Sequence, residues 1–546
     1  MKILLTTLNT KYIHKNLAIR WLYVTCPKEL SVDIQEYTIN DQLDDVCDKM
    51  YLSQYDVVGL SVYIWNAELT KEWIKKIKVI NPNIRILLGG PEVSYENDDW
   101  FDLPIEGIIQ GEGEKVFWDY LLNSQSKGVK LSKGVCDLQV KTDIQWLEQF
   151  ENPYFLSFDL KDINNRYLYL ECSRGCPYHC QYCLSSNDNN VRLFSLDYLF
   201  SIMAQLPKYR IRQVKFLDRT FNSLNKRALI LMEHLNDLPT MSNFHMELVA
   251  ETLNEELLDY MVRKLNPNKF RFEIGVQSFN IDTLKAVGRY ANVERLKEVI
   301  NRLNTNHIIM HTDLIAGLPF EDLISFERSY NELFALNTKE IQVGILKLLK
   351  GTKLRQDADK YAMIAHQKAP YDIISNRWLS QNDLEVIKLV YKATEKGYNN
   401  SRLRYTIDEL ITYFGFSPFQ LMIHLGTVIA DLARPYQNRD LFLNVYMKLK
   451  AFIDHDTLKG LLLIDYYQNS KQKPKWLFNE DHKGDVRKML LKKKFVNAHI
   501  FDNYCVVTLA TNQGVCLYQL VIYNAKQEVA QRYIININNE TIKELK

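Results

Sequence analysis

Nowhere in these 546 residues is there an apolar run long enough for a signal peptide or a membrane-spanning helix. Met1-Lys2 leads straight into Ile3-Leu4-Leu5, and Asn9, Lys11, His14 and Lys15 soon follow. That predicts a cytoplasmic protein, a compartment in which disulfides are disfavoured. An excess of one charge is lacking too. Lys and Arg number 68 against 66 Asp and Glu, a net charge of +2, so nothing draws the whole chain to nucleic acid or a membrane. The Gly-x-Gly-x-x-Gly fingerprint is absent, which disfavours a nicotinamide dinucleotide. No low-complexity tract or short repeat occurs. What is present, 47% hydrophobic and 25% charged residues, is ordinary for a globular chain. The length predicts about three domains.

Cysteine is scarce as well, nine in all. Cys26, Cys47, Cys136, Cys505 and Cys516 are dispersed and read as small buried hydrophobes. The other four crowd into twelve residues, Cys172-Ser173-Arg174-Gly175-Cys176-Pro177-Tyr178-His179-Cys180-Gln181-Tyr182-Cys183, directly after a strand-like stretch. A 4Fe–4S cluster needs soft thiolates close together. Cys176, Cys180 and Cys183 have the spacing C-x3-C-x2-C. Three thiolates hold three irons and leave the fourth open, which suits a reactive cluster better than an electron carrier. Structural zinc is the alternative, but it usually wants two close pairs or suitably spaced histidines, and only Cys180 and Cys183 form such a pair. Cys172 breaks the pattern and reads as a strand-end residue.

Around this loop the chain falls into three segments. From 1 to about 125, strand-like runs at 2–6, 32–37, 56–62 and 84–88 alternate with helix-like ones, notably 67–80. Such alternation predicts a parallel, doubly wound (Rossmann-like) sheet that binds ligands at the carboxyl ends of its strands. Gly59-Leu60-Ser61, Gly89-Gly90-Pro91-Glu92 and Gly111-Glu112-Gly113-Glu114 are placed at those ends, where glycine either lets the backbone approach a ligand closely or simply makes a tight turn. A linker without clear period follows, about 126–163. From 166 to about 352 strand and helix alternate again, with strands expected at 166–170, 213–217, 244–249, 270–276, 308–315 and 341–348. Six βα units predict a partial (β/α)6 barrel with its chemistry at the strand carboxyl ends. Polar residues gather there: Asp218-Arg219, Glu247 and Glu251, Gln277-Ser278, Asp313 to Gly317, and Lys350. Any one of them could instead be a cap. Residues 375–546 read as helices at 384–396, 406–413, 418–432, 441–453 and 457–467. Strands are expected after them at 496–508, 514–523 and 533–537. A basic stretch from Lys483 to Lys494 reads as a solvated helix face. The expected domains are 1–140, 150–370 and 375–546.

The cysteine loop after the first strand of a partial barrel resembles the radical S-adenosylmethionine superfamily. The resemblance covers about 166 to 352. It implies that Cys176, Cys180 and Cys183 ligate a 4Fe–4S cluster whose open iron chelates S-adenosylmethionine. Tyr182, Asp218, Arg219, Glu247, Gln277, Ser278 and Gly317 then hold the S-adenosylmethionine. The match at Phe216-Leu217-Asp218-Arg219 is loose, because that motif is usually Gly-Gly-Glu-like. The N-terminal third is similar to the cobalamin-binding domain preceding many such enzymes, which implies contacts from Ser61, Gly89, Gly90, Gly111 and Glu112. It lacks the D-x-H-x-x-G frame that supplies a histidine to cobalt; His14 has no such frame.

The whole chain resembles a cobalamin-binding subgroup with its own C-terminal domain. The resemblance implies a 5′-deoxyadenosyl radical that abstracts hydrogen from an unactivated carbon, with methylcobalamin then donating a methyl group and an external flavodoxin or ferredoxin supplying the electron. Rearrangement or oxidation without methyl transfer is a second reading. A transfer-RNA methylthiotransferase is a third, and would need three N-terminal cysteines on strand-end loops. A non-catalytic cluster or cobalamin sensor is the reading of a different class. No catalytic acid or base and no substrate can be named from these residues.

Overall fold

The computed structural model describes residues 1–124, 127–134, 139–433 and 435–469, and beyond them 488–489, 492 and four strands. Cys136, Cys516 and most of the basic stretch 483–494 lie outside the described residues. The chain divides into two compact units: Met1–Glu321 with Ile345–Ser380, and Asp322–Gly344 with Gln381–Lys546.

The first unit opens with a six-stranded sheet. Its strands are β1 (Lys2–Asn9), β2 (Ser31–Thr38), β3 (Val57–Ser61), β4 (Arg85–Gly89), β5 (Gly107–Ile109) and β6 (Val129–Lys130), in the order β2-β1-β3-β4-β5-β6. All pairings are parallel except that of the short β6. The strand runs at β3 and β4 are nearly continuous in apolar residues, because parallel strands are covered on both faces. Helices α1 (Leu17–Val24), α2 (Leu43–Met50), α3 (Ala67–Ile80) and α4 (Val116–Asn123) supply the cover. Val46, Met50, Trp73, Ile74 and Ile77 close one face and Ile19, Phe117, Trp118 and Leu121 the other. This is a doubly wound sheet, whose strand order reverses at β1 and β3, the place where such folds bind ligands.

The linker is not a loose tether. It carries a short helix, Ile144–Leu147, and buries Tyr154, Phe155 and Leu156. After it come β7 (Leu168–Leu170), the paired short strands β8 (Ser173–Arg174) and β9 (Arg192–Leu193), then β10 (Gln213–Phe216), β11 (Asn243–Leu248), β12 (Phe270–Gln277) and β13 (Ile309–Ala316). The strands β7, β10, β11, β12 and β13 pair in that order, all parallel. Strand β14 (Glu340–Ile345) follows in sequence and ends where the chain re-enters the first unit. Burial alternates strictly along β12 and β13, so one face packs outward on helices while the other lines the barrel lumen. Side-chain caps start the outer helices where Asn and Asp fall in the sequence: Asn254 accepts from Leu257 N, Asn292 from Arg295 N and Asp322 from Ser325 N.

The second unit is helical before it is stranded. Helices Gln381–Ala393, Arg404–Phe414, Pro418–Asp431, Asn438–Leu449 and His455–Asn469 precede a four-stranded antiparallel meander. Its strands are Tyr504–Leu509, Leu517–Ile522, Gln531–Asn536 and Thr541–Leu545; residues 496–503 of the first expected strand lie outside the described residues, and the last strand was not anticipated.

Candidate cofactor site

The carboxyl ends of both sheets of the first unit face one cavity of about 910 Å³. The doubly wound sheet contributes Gly59, Leu60, Ser61, Leu88, Gly89, Gly90, Gly111 and Glu112, and the barrel contributes Tyr169, Glu171, Leu217 and Arg219. Cys183 of the cysteine loop reaches the same wall. Gly90 has φ +109, and a Cβ there would run into Val62 O, so only glycine lets the chain turn beneath the cavity.

The cysteine loop leaves β7 as the spacing predicts. Cys183 N donates to Cys180 O at 3.0 Å, Gln181 N to Val287 O at 2.9 Å and Cys176 N to Asp188 O at 2.8 Å. The three thiols are electrostatic neighbours: burial pushes the Cys176 thiol up, and Cys183 and Cys180 push it the same way. Among the described residues, no three His, Cys, Asp or Glu side chains converge where a single metal ion could sit. Cys172 stands apart, buried at the strand end with its N–H donating to Asp218 Oδ2 at 2.9 Å.

The other expected contacts divide by what their polar atoms already do. Asp218 is buried and accepts from Cys172 N and from Ser173 Oγ at 2.5 Å; burial pushes its carboxyl up to about 6. Ser278 Oγ donates to Glu321 Oε1 at 2.6 Å and accepts from Asn280 N, tying strand ends together. Gly317 O accepts from Asn376 Nδ2 at 2.8 Å. Burial pushes Glu247 up to about 7 in the lumen, with Arg219 opposing. Gln277 sits at φ +68 on a β-bulge that re-aims its side chain. Burial likewise pushes the Tyr182 hydroxyl up.

Among the described residues, Gln181 Oε1, Glu251 Oε2, Gln277 Oε1 and Arg289 Nε are buried and find no hydrogen-bond partner. Arg289 belongs to the same neighbourhood, with Nη2 donating to Gly275 O at 2.5 Å and lying 3.6 Å from Glu251. Orphaned buried groups carry a desolvation cost that a polar ligand would relieve.

Charged pairings that the sequence does not reveal also shape the site. Arg174 and Arg192 reach Glu112. Tyr371 bonds Glu92, with Lys350 3.6 Å from the same carboxylate. His14 Nδ1 and Tyr169 OH are 2.5 Å apart, which joins the turn after β1 to the barrel. Arg174 was visible inside the cysteine run and Glu112 inside its glycine motif, but nothing in the sequence paired them. Cys47 lies in α2 and Cys26 in the loop that leads from α1 to β2, so neither follows the carboxyl end of a strand, and burial pushes the Cys26 thiol up to about 11. The N-terminal cysteine triad of the methylthiotransferase reading is therefore not assembled among the described residues.

A doubly wound domain whose ligand edge opens onto a partial barrel with a three-cysteine loop defines a cofactor-handling class. Residues 3–120 match the B12 binding domain, residues 170–333 the radical SAM superfamily, and residues 359–530 a protein of unknown function, DUF4080. The chain thus carries a B12 binding domain over 3–120 and a radical SAM domain over 170–333, and the cofactors that go with these domains are a 4Fe–4S cluster, S-adenosylmethionine and cobalamin.

It is 23% identical over 401 residues to a 2-(S-pantetheinyl)-carbapenam-3-carboxylate methyltransferase of Streptantibioticus cattleyicolor, covering 68% of this chain and 57% of that protein. It is 24% identical over 346 residues to the cobalamin-dependent radical SAM methyltransferase TokK of Streptomyces tokunonensis, covering 58% and 50%. The chain thus spans about half the length of these relatives. The solved structure of the cobalamin-dependent S-adenosylmethionine radical enzyme OxsB shares the fold with a TM-score of 0.58 at 15% identity, over 91% of this chain and 81% of that one.

The residues present fit these groups. The cavity volume lies at the upper end for small-molecule sites. Gly89 and Gly113 line its floor, and their bare backbone leaves room that a side chain would fill: a Cβ would meet Ile109 at ordinary contact distance, 3.9 Å from Gly89 and 3.5 Å from Gly113. Leu22, Leu60, Ile109 and Phe117 give that slot apolar walls. The neighbouring thiols suit a cluster, and the orphaned groups beside them suit a zwitterionic ligand.

Proposed function

We propose that the protein is a cobalamin-dependent radical S-adenosylmethionine methyltransferase that transfers a methyl group to an unactivated carbon of its substrate. One observation carries the reading. The slot over Gly89 and Gly113 and the cluster loop at Cys183 open into the same cavity. A substrate carbon held there would face both, and radical chemistry needs near contact. When bound, the cluster, S-adenosylmethionine and cobalamin supply the 5′-deoxyadenosyl radical and the methyl group, the hard chemistry that cofactors carry.

The chain's own residues bind and shield. Cys176, Cys180 and Cys183 hold three irons. Tyr182, Arg219, Glu247, Gln277 and Gly317 surround S-adenosylmethionine, with Asp218 and Ser278 fixing the strand ends behind it. Ser61, Gly89, Gly90, Gly111 and Glu112 border the corrin. Domains 1–140, 150–370 and 375–546 divide the labour, the last as substrate reader. A flavodoxin or ferredoxin supplies electrons in the cytoplasm. Among the described residues no helix is long and apolar enough to cross a membrane.

The test is anaerobic reconstitution with iron, sulfide and hydroxocobalamin, followed by reductant and S-adenosylmethionine. Cluster-dependent 5′-deoxyadenosine together with S-adenosylhomocysteine is expected. No 5′-deoxyadenosine would overturn the radical reading, and 5′-deoxyadenosine without S-adenosylhomocysteine would replace methyl transfer by rearrangement or oxidation.

A further inference from the structure

The cluster loop is anchored to the cobalamin-binding domain as well as to the barrel. Its two ends are closed by the β8/β9 ribbon, in which Ser173 pairs with Leu193 and Arg174 with Arg192. Both arginines of the ribbon point to one carboxylate of the first sheet's last glycine turn. Arg192 Nη2 donates to Glu112 Oε1 at 2.5 Å and Nη1 to Oε2 at 3.0 Å, while Arg174 Nη1 reaches the same Oε2 at 3.1 Å. Arg174 also binds Glu114 at 2.8 Å and Glu171 at 3.0 Å. Arg192 binds Asp188 at 2.9 Å, whose carboxylate Lys141 also contacts and whose carbonyl receives Cys176 N–H. The arginine side chains are only 11% and 15% exposed, so this is a largely desolvated network. Removing one member would leave buried charge unpaired.

The network connects two places that the proposed chemistry keeps separate. On one side it is continuous with the backbone of Cys176. On the other it holds Glu112, Gly113 and Glu114, which form part of the cavity wall. We infer that Glu112, Arg174 and Arg192 are positioning residues that couple cluster loading to corrin binding, a role resting on the function proposed above. Ordering the loop costs conformational entropy. Thiolates held by a cluster would fix the Cys176 end of the ribbon, and the arginines already paired with Glu112 would then hold its turn steady beside the corrin. The corrin then binds a wall already ordered. Such coupling is reciprocal, so a bound corrin also favours the cluster.

The test uses the full chain and hydroxocobalamin as probe. Its dissociation constant is measured by equilibrium dialysis on cluster-free and on iron–sulfide-reconstituted protein. In the wild type the cluster is expected to tighten binding about tenfold, within the usual range for coupled sites. In Glu112→Gln and in Arg192→Gln that ratio should fall to about one, and the double variant should fall no further. A weakened structure alone would lower both affinities and keep their ratio. A wild-type ratio of one, or a ratio preserved in both variants, overturns the coupling. Should either variant fail to take up a cluster, Lys141→Met removes only the outer charge on Asp188, and a ratio there equal to the wild type's also overturns it. Absence of any corrin retention would instead sink the cobalamin reading itself, so the two failures are distinguishable.

Discussion

Cys172 and Cys180 are close in sequence but unlike in surroundings. Cys172 is 2% exposed, sealed under the strand end beside the Asp218 carboxylate, which with burial pushes its thiol well up. Cys180 is half-buried in the turn that also holds Cys176 and Cys183. Cys172→Ala is therefore expected to keep full iron and sulfide content after reconstitution while losing about 1–2 kcal/mol of stability to a small cavity. Cys180→Ala should lose the cluster outright. Iron and sulfide analysis of both proteins decides it, and the reverse pattern would mean that the ligand register is wrong. This register was legible because ligand spacing is a local property of the chain. What could not be read was which polar atoms are already engaged. Ser278 and Asp218 look in sequence like free ligand groups, yet each has hydrogen bonds within the strand ends.

At the scale of elements, legibility followed periodicity. The helix over 67–80 was readable to its end residues because its apolar stripe repeats and Asn81 terminates it. The parallel strands were readable as apolar runs, with ends off by up to three residues, as at β1 and β14, where a strand passes into a turn. The linker has no period because it packs as irregular chain, so its buried Tyr154 to Leu156 gave no signal. The cluster loop is likewise irregular, and Gly175 at φ +93 lets it start; a Cβ there would meet Asn190 O. Gly175→Ala should strain the loop by about 1–3 kcal/mol. Iron content after reconstitution should fall several-fold while the melting temperature barely moves. Gly89→Ala, whose added methyl fits against Ile109 on the cavity wall, should load a full cluster and lose corrin instead. Equal cluster loading in both variants would show that the loop's backbone does not govern assembly.

At the scale of the molecule, the first unit depends on pairs far apart in sequence, which no local pattern reveals. Arg20 on α1 holds Asp159 of the linker with Nε to Oδ2 at 2.7 Å and Nη2 to Oδ1 at 2.8 Å, and also bonds Glu36 of β2 at 2.7 Å. These side chains are 5–7% exposed. Burial alone would push the Asp159 carboxyl up, but the Arg20 hydrogen bonds and charge outweigh it and hold it below its ordinary value. An acid with a depressed folded pKa contributes stability above its unfolded pKa, which is lost as pH falls through the folded one. The wild type should therefore lose melting temperature steeply on acidification below about pH 4. Asp159→Asn should start lower at neutral pH, because Arg20 keeps only part of its pairing, and should decline less over the same interval since the titrating group is gone. Arg20→Leu leaves Glu36 buried without that cation and Asp159 with only Lys15 at 3.4 Å, and should cost about 3–5 kcal/mol at neutral pH. Thermal melts of the three proteins across that pH range provide the check. Parallel curves for the wild type and Asp159→Asn would show that the linker strap does not hold the first sheet against acid, and that the acid limb belongs to other carboxylates.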